Sequence, residues 1–564
     1  MKFKDYEYKR IDIEELKKKA NKIIKEMEKT ENQKDFLKSF DEFLDLRNYN
    51  DTMINLASIR HSIDTKNSYY NNENSHIDQI MPEYENLIVS FYKAILNSKF
   101  KNSIKEKYGA HFLNLAELTI KSFDEKIVSD LKEENKLISE YSKLLASADI
   151  DFKGSKRTLS ELTPFMEHQD RDVRKAAWEA YSGFFEVNES EFDRIYDELV
   201  KLRHKMALKL GYKNYVQMAY DKLLRTEYGP KDVKMYRESI YENIVPLATS
   251  LRERQKRRLD LQNFKYYDEN LEFLSGNASP KGDYDFILKN AQKMYNELSP
   301  ETAEFFTFML DKDLLDLKSK KGKQSGGYCT FIPKYKAPFI FSNFNGTSGD
   351  IDVLTHEAGH AFQVYESKSY KVPEYNFPTL EACEIHSMSM EFLTWPWMDL
   401  FFKEDAEKYK FSHLQSTILF LPYGVLVDEF QHFIYENPEL SPKERKLKWR
   451  EIERKYLPHR DYENNEFYEN GGFFFKQIHI FTDPFYYIDY TLAQVLALQF
   501  FIKSREDREN TFNDYLDLCR MGGSKPFLEL VKESNLKSPF NKETIALILP
   551  QVEEYLNSVD DFKF

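Results

Sequence analysis

The chain reads as a mostly α protein, and three observations predict this. Helix breakers are scarce: 18 glycines and 19 prolines among 564 residues fall well below the usual shares of about 7% and 5%. Apolar residues recur at steps of three and four, as along the buried stripe of an amphipathic helix. A hydrophobic fraction of 41%, with 15% aromatic, supplies apolar surface for a substantial core, so most of the length is expected to be ordered. At 67.3 kDa the chain exceeds the size at which one core stops growing, and two or more lobes are expected.

The helical pattern is plain in the first two hundred residues. Ile11 to Glu28 and Lys34 to Arg47 set apolar residues at helical spacing among Lys and Glu. Thr163-Pro164 and Asp170-Arg171 read as helix starts, and DRDVRKAAWEAY (170 to 181) has a face of Val173, Ala177 and Tyr181. Residues 1–200 are expected to form an N-terminal helical lobe and 201–564 a second lobe that carries the chemistry. The texture changes between about 322 and 350, where GKQSGGYCTFIPKYKAPFIFSNFNGTSGD gathers Gly, β-branched and aromatic residues with turn formers. Two short strands are predicted, Tyr328 to Ile332 and Phe339 to Phe344, joined by a turn around Pro333 to Ala337. Ser348 or Asp350 can then cap a helix that opens IDVLTHEAGHAFQVY. An edge strand in this sheet (about 327–344), with Phe344 and Gly346 near its end, could pair with an extended peptide through its main chain; a strand that merely packs fits the sequence equally well.

A net charge of −13 and a pI near 5.6 give no basic footprint, so neither nucleic acid nor an anionic membrane is expected as a partner. Cys329, Cys383 and Cys519 are too few and too scattered for a disulfide framework and fit a reducing compartment. The N-terminus, MKFKDYEYKRIDIEELKKK, lacks the apolar segment of a signal peptide, and no uninterrupted apolar run of about 18 residues occurs. A soluble cytoplasmic protein is the expectation.

His356-Glu357-Ala358-Gly359-His360 is an H-E-x-x-H motif. Residues four apart lie on one helical face, so two imidazoles can share one tetrahedral zinc. Glu357 then sits beside the open coordination position, where it can take a proton from water. At this composition, chance would supply the pattern roughly 0.04 times. Leu354, Ala358, Phe362 and Tyr365 give the helix an apolar face around it.

A catalytic zinc also needs a third protein ligand. The extended motif with a third histidine is excluded, because Gln363 and Glu366 stand where its Gly and His would be. A carboxylate on a following helix remains, with Glu366, Glu374, Glu381, Glu384 and Glu391 as candidates. TLEACEIHSMSMEFLTW (379 to 395) is helical in pattern, and its Glu384 and Glu391 lie two turns apart on one face. One can ligate while the other holds a ligand histidine from behind. Asp352, four residues before His356, can orient that imidazole or simply belong to the first turn of the helix, which favours acids. His386 is two residues from Glu384 and points away from it.

HEAGHAFQ, the E-x-x-S-x-x-x-E helix, GGYC before them and HIFTDPFYYIDY after them resemble the M3 family of zinc peptidases. QDRDVRKAAWEAY, ALKLGYKNY and YGPKDV extend the likeness over roughly residues 155 to 500. The resemblance implies one Zn2+ per chain on His356, His360 and Glu384, with Glu357 as general base. It implies an almost entirely helical fold of two lobes around a deep channel, which admits short unstructured peptides. It also implies that His479 and a tyrosine from 479–490 reach over the scissile carbonyl and stabilise its oxyanion. Tyr487 and Tyr490 have the family spacing and Tyr486 is an adjacent substitute. Thr482-Asp483-Pro484 replaces the glycine-rich loop of eukaryotic members, so the donor stays open among the three. Carboxypeptidase or dipeptidyl carboxypeptidase action would need a trap for the substrate's terminal carboxylate, which the sequence does not reveal, and an inactive peptide-binding scaffold conflicts with the intact ligand and base set.

Overall fold

A computed structural model describes all 564 residues, in 24 α-helices and five short strands. Ile13–Lys29 starts where the Asp12 side chain accepts from the Glu14 and Glu15 amides, so the cap and the apolar stripe agree on one boundary. The second helix, Gln33–Ile63, runs well past the expected Arg47. It continues because Met53, Leu56, Ala57 and Ile59 bury on the core beyond the polar middle, where Asn50 and Thr52 satisfy their side chains on the carbonyls of Leu46 and Asn48, four residues earlier. Asp170 caps Arg171–Val187 as expected. Thr163-Pro164 does not start a helix: Pro164 lies inside Leu159–Met166, whose start is fixed by a reciprocal pair of bonds between Thr158 and Glu161.

The sheet near the motif has three strands, one more than expected. Tyr328–Ile332 and Ala337–Phe344 are antiparallel, joined by a single turn at Pro333–Tyr335 that Lys336 closes with φ of 46°. Leu315–Lys318 pairs in parallel with the other side of Ala337–Phe344. Its four residues alternate apolar and charged and run into lysines, so in sequence they look like the end of a charged loop. Ala337–Phe344 is therefore central, and its continuous burial from Ala337 to Ser342 is what a strand covered on both faces requires.

Three further elements complete the setting. The motif helix, Gly349–Ser367, packs on the sheet and crosses Leu380–Leu393, which in turn lies against Tyr487–Glu506. Leu380–Leu393 buries 12 of its 14 residues, so it is held from all sides. A continuous core runs from Phe3 to Leu556, and no helix is long and apolar enough to cross a membrane.

The crossing of motif helix and Leu380–Leu393 is made backbone to backbone at Gly359. A Cβ there would stand 2.6 Å from the His386 carbonyl oxygen and 2.7 Å from the Ser387 Cα, distances that only displacement of a helix can relieve. Gly359→Ala is expected to destabilise the fold by roughly 1–3 kcal/mol, read as a lowered denaturation midpoint. Gly183→Ala, in a helix with open space around its Cβ position, should leave the midpoint unchanged or raise it; equal effects of the two would refute this account of the crossing.

Candidate active site

At that crossing His356, His360 and Glu384 converge. One side-chain atom from each lies within 4.8 Å of the other two. Glu384 Oε2 is 3.3 Å from His356 Nε2 and 3.4 Å from His360 Nε2. Two atoms each about 2.0–2.1 Å from a shared centre, at the tetrahedral angle, stand about 3.4 Å apart; the donor set and its spacing fit a zinc ion. Burial alone would raise the Glu384 carboxyl, but the two imidazoles outweigh it and hold the group well below the usual carboxylate range, so it is ionised.

Behind the ligands stands a hydrogen-bond layer. Glu391 Oε1 accepts from His356 Nδ1 at 2.7 Å, which puts the ring proton on Nδ1 and turns the Nε2 lone pair to the centre. Its other oxygen meets His413 Nε2 at 2.8 Å, and His413 Nδ1 accepts from the Trp395 indole at 3.2 Å. The Glu391 carboxyl is raised by burial and lowered further by His356 and His413, with a net depression. Asp352 is placed differently: its Oδ1 accepts from the Tyr409 hydroxyl at 2.5 Å, and burial pushes its carboxyl up to about 6. Tyr409 and His413, one turn apart on the long helix Ala406–Glu436, were not singled out in the sequence. Their four-residue spacing is the only signal there, and it is common in any helix.

Glu357 is buried, its Oε2 has no hydrogen-bond partner, and burial raises its carboxyl. Gly327 lies against it: a Cβ on this residue would stand 3.6 Å from Glu357 Oε1. Residue 327 leads into Tyr328–Ile332, so the free edge of the sheet begins beside this carboxylate.

His479 and the tyrosines face the same place from the C-terminal side. Tyr486 donates to Glu384 Oε1 at 2.5 Å, while Ser387 Oγ donates to Oε2 at 2.9 Å. The Tyr490 hydroxyl lies 3.4 Å from His479 Nε2, and burial, with the nearby Glu384 charge, pushes its phenol well up. The Tyr487 ring packs on His479, with centroids 5.0 Å apart. Burial lowers the His479 imidazole, which keeps it neutral.

The family model for peptidase family M3 matches residues 164–547, and that for the peptidase M3 N-terminal domain matches residues 3–123. The chain belongs to peptidase family M3. This makes it a metalloendopeptidase. It is 24% identical over 530 residues to the chromosomal oligoendopeptidase F of Lactococcus lactis subsp. cremoris, covering 85% of this chain and 82% of that one. Among solved structures, PZ peptidase A with an inhibitor is 54% identical, with a TM-score of 0.97 over the whole of both chains. A structure described as an oligoendopeptidase F from Bacillus anthracis is 53% identical, with a TM-score of 0.93 over 100% of this chain and 99% of that one.

In this M3 peptidase several residues near the motif are turned elsewhere. His386 is fully buried beside Tyr515, and burial lowers its imidazole to about 4. The Cys383 thiol donates to the Pro378 carbonyl at 3.3 Å, and burial pushes it well up. Phe344 sits opposite Lys318 in the central strand, and the Gly346 amide donates to Asp350 Oδ2 at 2.8 Å. The outer strands of the sheet are Tyr328–Ile332, beside Glu357, and Leu315–Lys318.

Glu391→Gln leaves the shape of the second layer but removes the charge that holds the His356 proton. Affinity for a divalent cation is expected to fall about 10–100-fold, measured by competition with a chromogenic chelator. Asp352→Asn, one layer further back, should change it by less.

Proposed function

We propose that the chain is a zinc-dependent endopeptidase that hydrolyses internal bonds of short, unstructured peptides. The observation that carries the reading is a three-donor set with tetrahedral spacing next to a buried carboxylate, Glu357, one of whose oxygens has no partner within the protein. Residues 201–564, the proposed catalytic lobe, supply every one of these groups.

His356, His360 and Glu384 would hold the ion, which when bound would supply Lewis acidity to lower the pKa of a water. Glu357 takes the proton of the attacking water on its carboxylate and passes it to the leaving amine. No side chain of the protein donates to Oε2, so this carboxylate is not committed to a structural hydrogen bond there. The edge strand Tyr328–Ile332 binds the substrate main chain, which brings the scissile carbonyl alongside Glu357. His479 donates from Nε2 to the developing oxyanion, and Tyr490 is the tyrosine beside it. Tyr486 is committed to Glu384 and steadies the ligand, while Tyr487 packs behind the imidazole. No covalent intermediate is required.

Glu357→Gln should keep its zinc and lose about 10²–10⁴ in turnover, whereas His356→Ala should lose both. A chelator should abolish cleavage and added zinc restore it. The assay is an internally quenched peptide blocked at both ends, with fragments read by mass spectrometry; internal cuts separate endopeptidase from carboxypeptidase action. Wild-type turnover by Glu357→Gln would falsify the assignment of the base.

A further inference from the structure

The imidazole of His479 is reached from behind by a chain of two polar side chains that the reaction itself does not use. Gln477 Nε2 lies 3.0 Å from His479 Nδ1. Gln477 Oε1 accepts from the Tyr423 hydroxyl at 2.7 Å. Tyr423 stands on the long helix Ala406–Glu436, wedged between Trp449, Phe473 and Tyr487 at ring separations of 6.3, 6.4 and 5.9 Å. Gln477 is the residue before the short helix Ile478–Thr482, so its backbone is fixed at the point where the chain turns to present His479.

The direction of this chain follows from its far end. A phenol has one proton to give, and the Tyr423 hydroxyl has Gln477 as its sole hydrogen-bond partner in the protein. With the amide turned the other way its NH2 would meet the phenol oxygen and the phenol's own proton would have no acceptor; the hydroxyl therefore donates to the amide oxygen, and the amide NH2 is the end that faces His479. An NH2 group donates only, and Nδ1 must accept. A neutral imidazole has one ring proton, which is thereby placed on Nε2, the nitrogen that faces Tyr490 at 3.4 Å.

We propose that Gln477, oriented by Tyr423, is a positioning residue that sets the tautomer of His479 and so makes Nε2 a hydrogen-bond donor toward the substrate oxyanion. This rests on the oxyanion role given to His479 above. In the opposite tautomer Nε2 would present a lone pair to a developing negative charge, and the residue would oppose the reaction it is placed to assist. The groups that face the ring are Asp483 and Glu384, which favour its protonation, and Tyr486, Tyr487 and Tyr490. None of these contacts Nδ1, so the choice of tautomer falls to Gln477.

The test compares wild type, Gln477→Met, Gln477→Glu, Tyr423→Phe and His479→Ala as full-length zinc-loaded proteins on one quenched peptide. Gln477→Met should lower kcat about 10–100-fold with KM within about twofold, at unchanged zinc content and melting midpoint. Tyr423→Phe should act in the same direction by less. Gln477→Glu gives the distinguishing result. Its carboxylate accepts from Nδ1–H, so Nε2 keeps a proton only while the ring is charged, and kcat should gain a descending limb as pH rises through the raised imidazole pKa. Wild type, whose neutral ring already carries Nε2–H, should lack that limb. A Gln477→Glu profile parallel to wild type, or an unchanged kcat in Gln477→Met, overturns the proposal. Spectra of protein labelled with 15N at its 12 histidines, with His479 assigned by its loss in His479→Ala, read the tautomer without reference to activity; a wild-type proton on Nδ1 also overturns it. Full kcat in His479→Ala overturns the oxyanion role instead, and the tautomer then stands or falls on the spectrum alone.

Discussion

The site depends on two helices touching at a glycine. Gly359 lets the main chain of the motif helix meet that of Leu380–Leu393 at His386 and Ser387, and only at that separation do side chains from the two helices end on a common point. A glutamate reaches only a few ångströms from its helix axis, so a third ligand on a separate helix demands a close crossing. Gly359 falls between the two ligand histidines because the crossing must be centred where they are. Its helix-propensity cost, of roughly 1 kcal/mol, is borne at the one position where a methyl group could not fit.

Four buried or half-buried acids around the crossing are set apart by what surrounds them. Glu384 and Glu391 each meet imidazoles, and that attraction outweighs the desolvation that would otherwise protonate them. Asp352 has a phenol as its hydrogen-bond donor and is raised by burial. Glu357 has one oxygen with no donor at all. The proposed roles of ligand, orienting partner and base thus fall to the same functional group in different surroundings, the way one cluster of carboxylates can divide the labour of a hydrolytic site.

Much of this could be read from local sequence where spacing alone fixes geometry. His356 and His360 share a face at any helical register, and Glu384 and Glu391 are paired by the seven-residue step, so two ligands and the ligand-or-orienter alternative need no tertiary information. Choosing between the glutamates does need it, since the choice depends on which turn of Leu380–Leu393 lies over Gly359. Tyr409 and His413 carry no sequence signal for the same reason: each acts on a residue brought close only by folding, and neither breaks a local rule. Gln477 stands two residues from His479, but Tyr423, which orients it, is reached only in the fold. The full length of Gln33–Ile63 is hard to read because a polar stretch interrupts the apolar stripe before Met53, Leu56 and Ile59 resume it, and the burial that holds the helix together across that gap is tertiary.

The sheet shows most clearly how strand order governs function beyond what a strand's own sequence carries. Ala337–Phe344 looks like the better peptide-binding strand, being longer and closer in sequence to the motif. Once Leu315–Lys318 adds to its far side, both of its edges are filled, and Phe344 and the turn at Gly346 are occupied by Lys318 and Asp350. Of the two outer strands, Tyr328–Ile332 is the one whose approach through Gly327 lies against Glu357. A side chain at residue 327 would fill the space between that edge and the carboxylate, so the absence of a Cβ there, like that at Gly359, brings backbone close; in the proposed mechanism this is the room a substrate carbonyl needs.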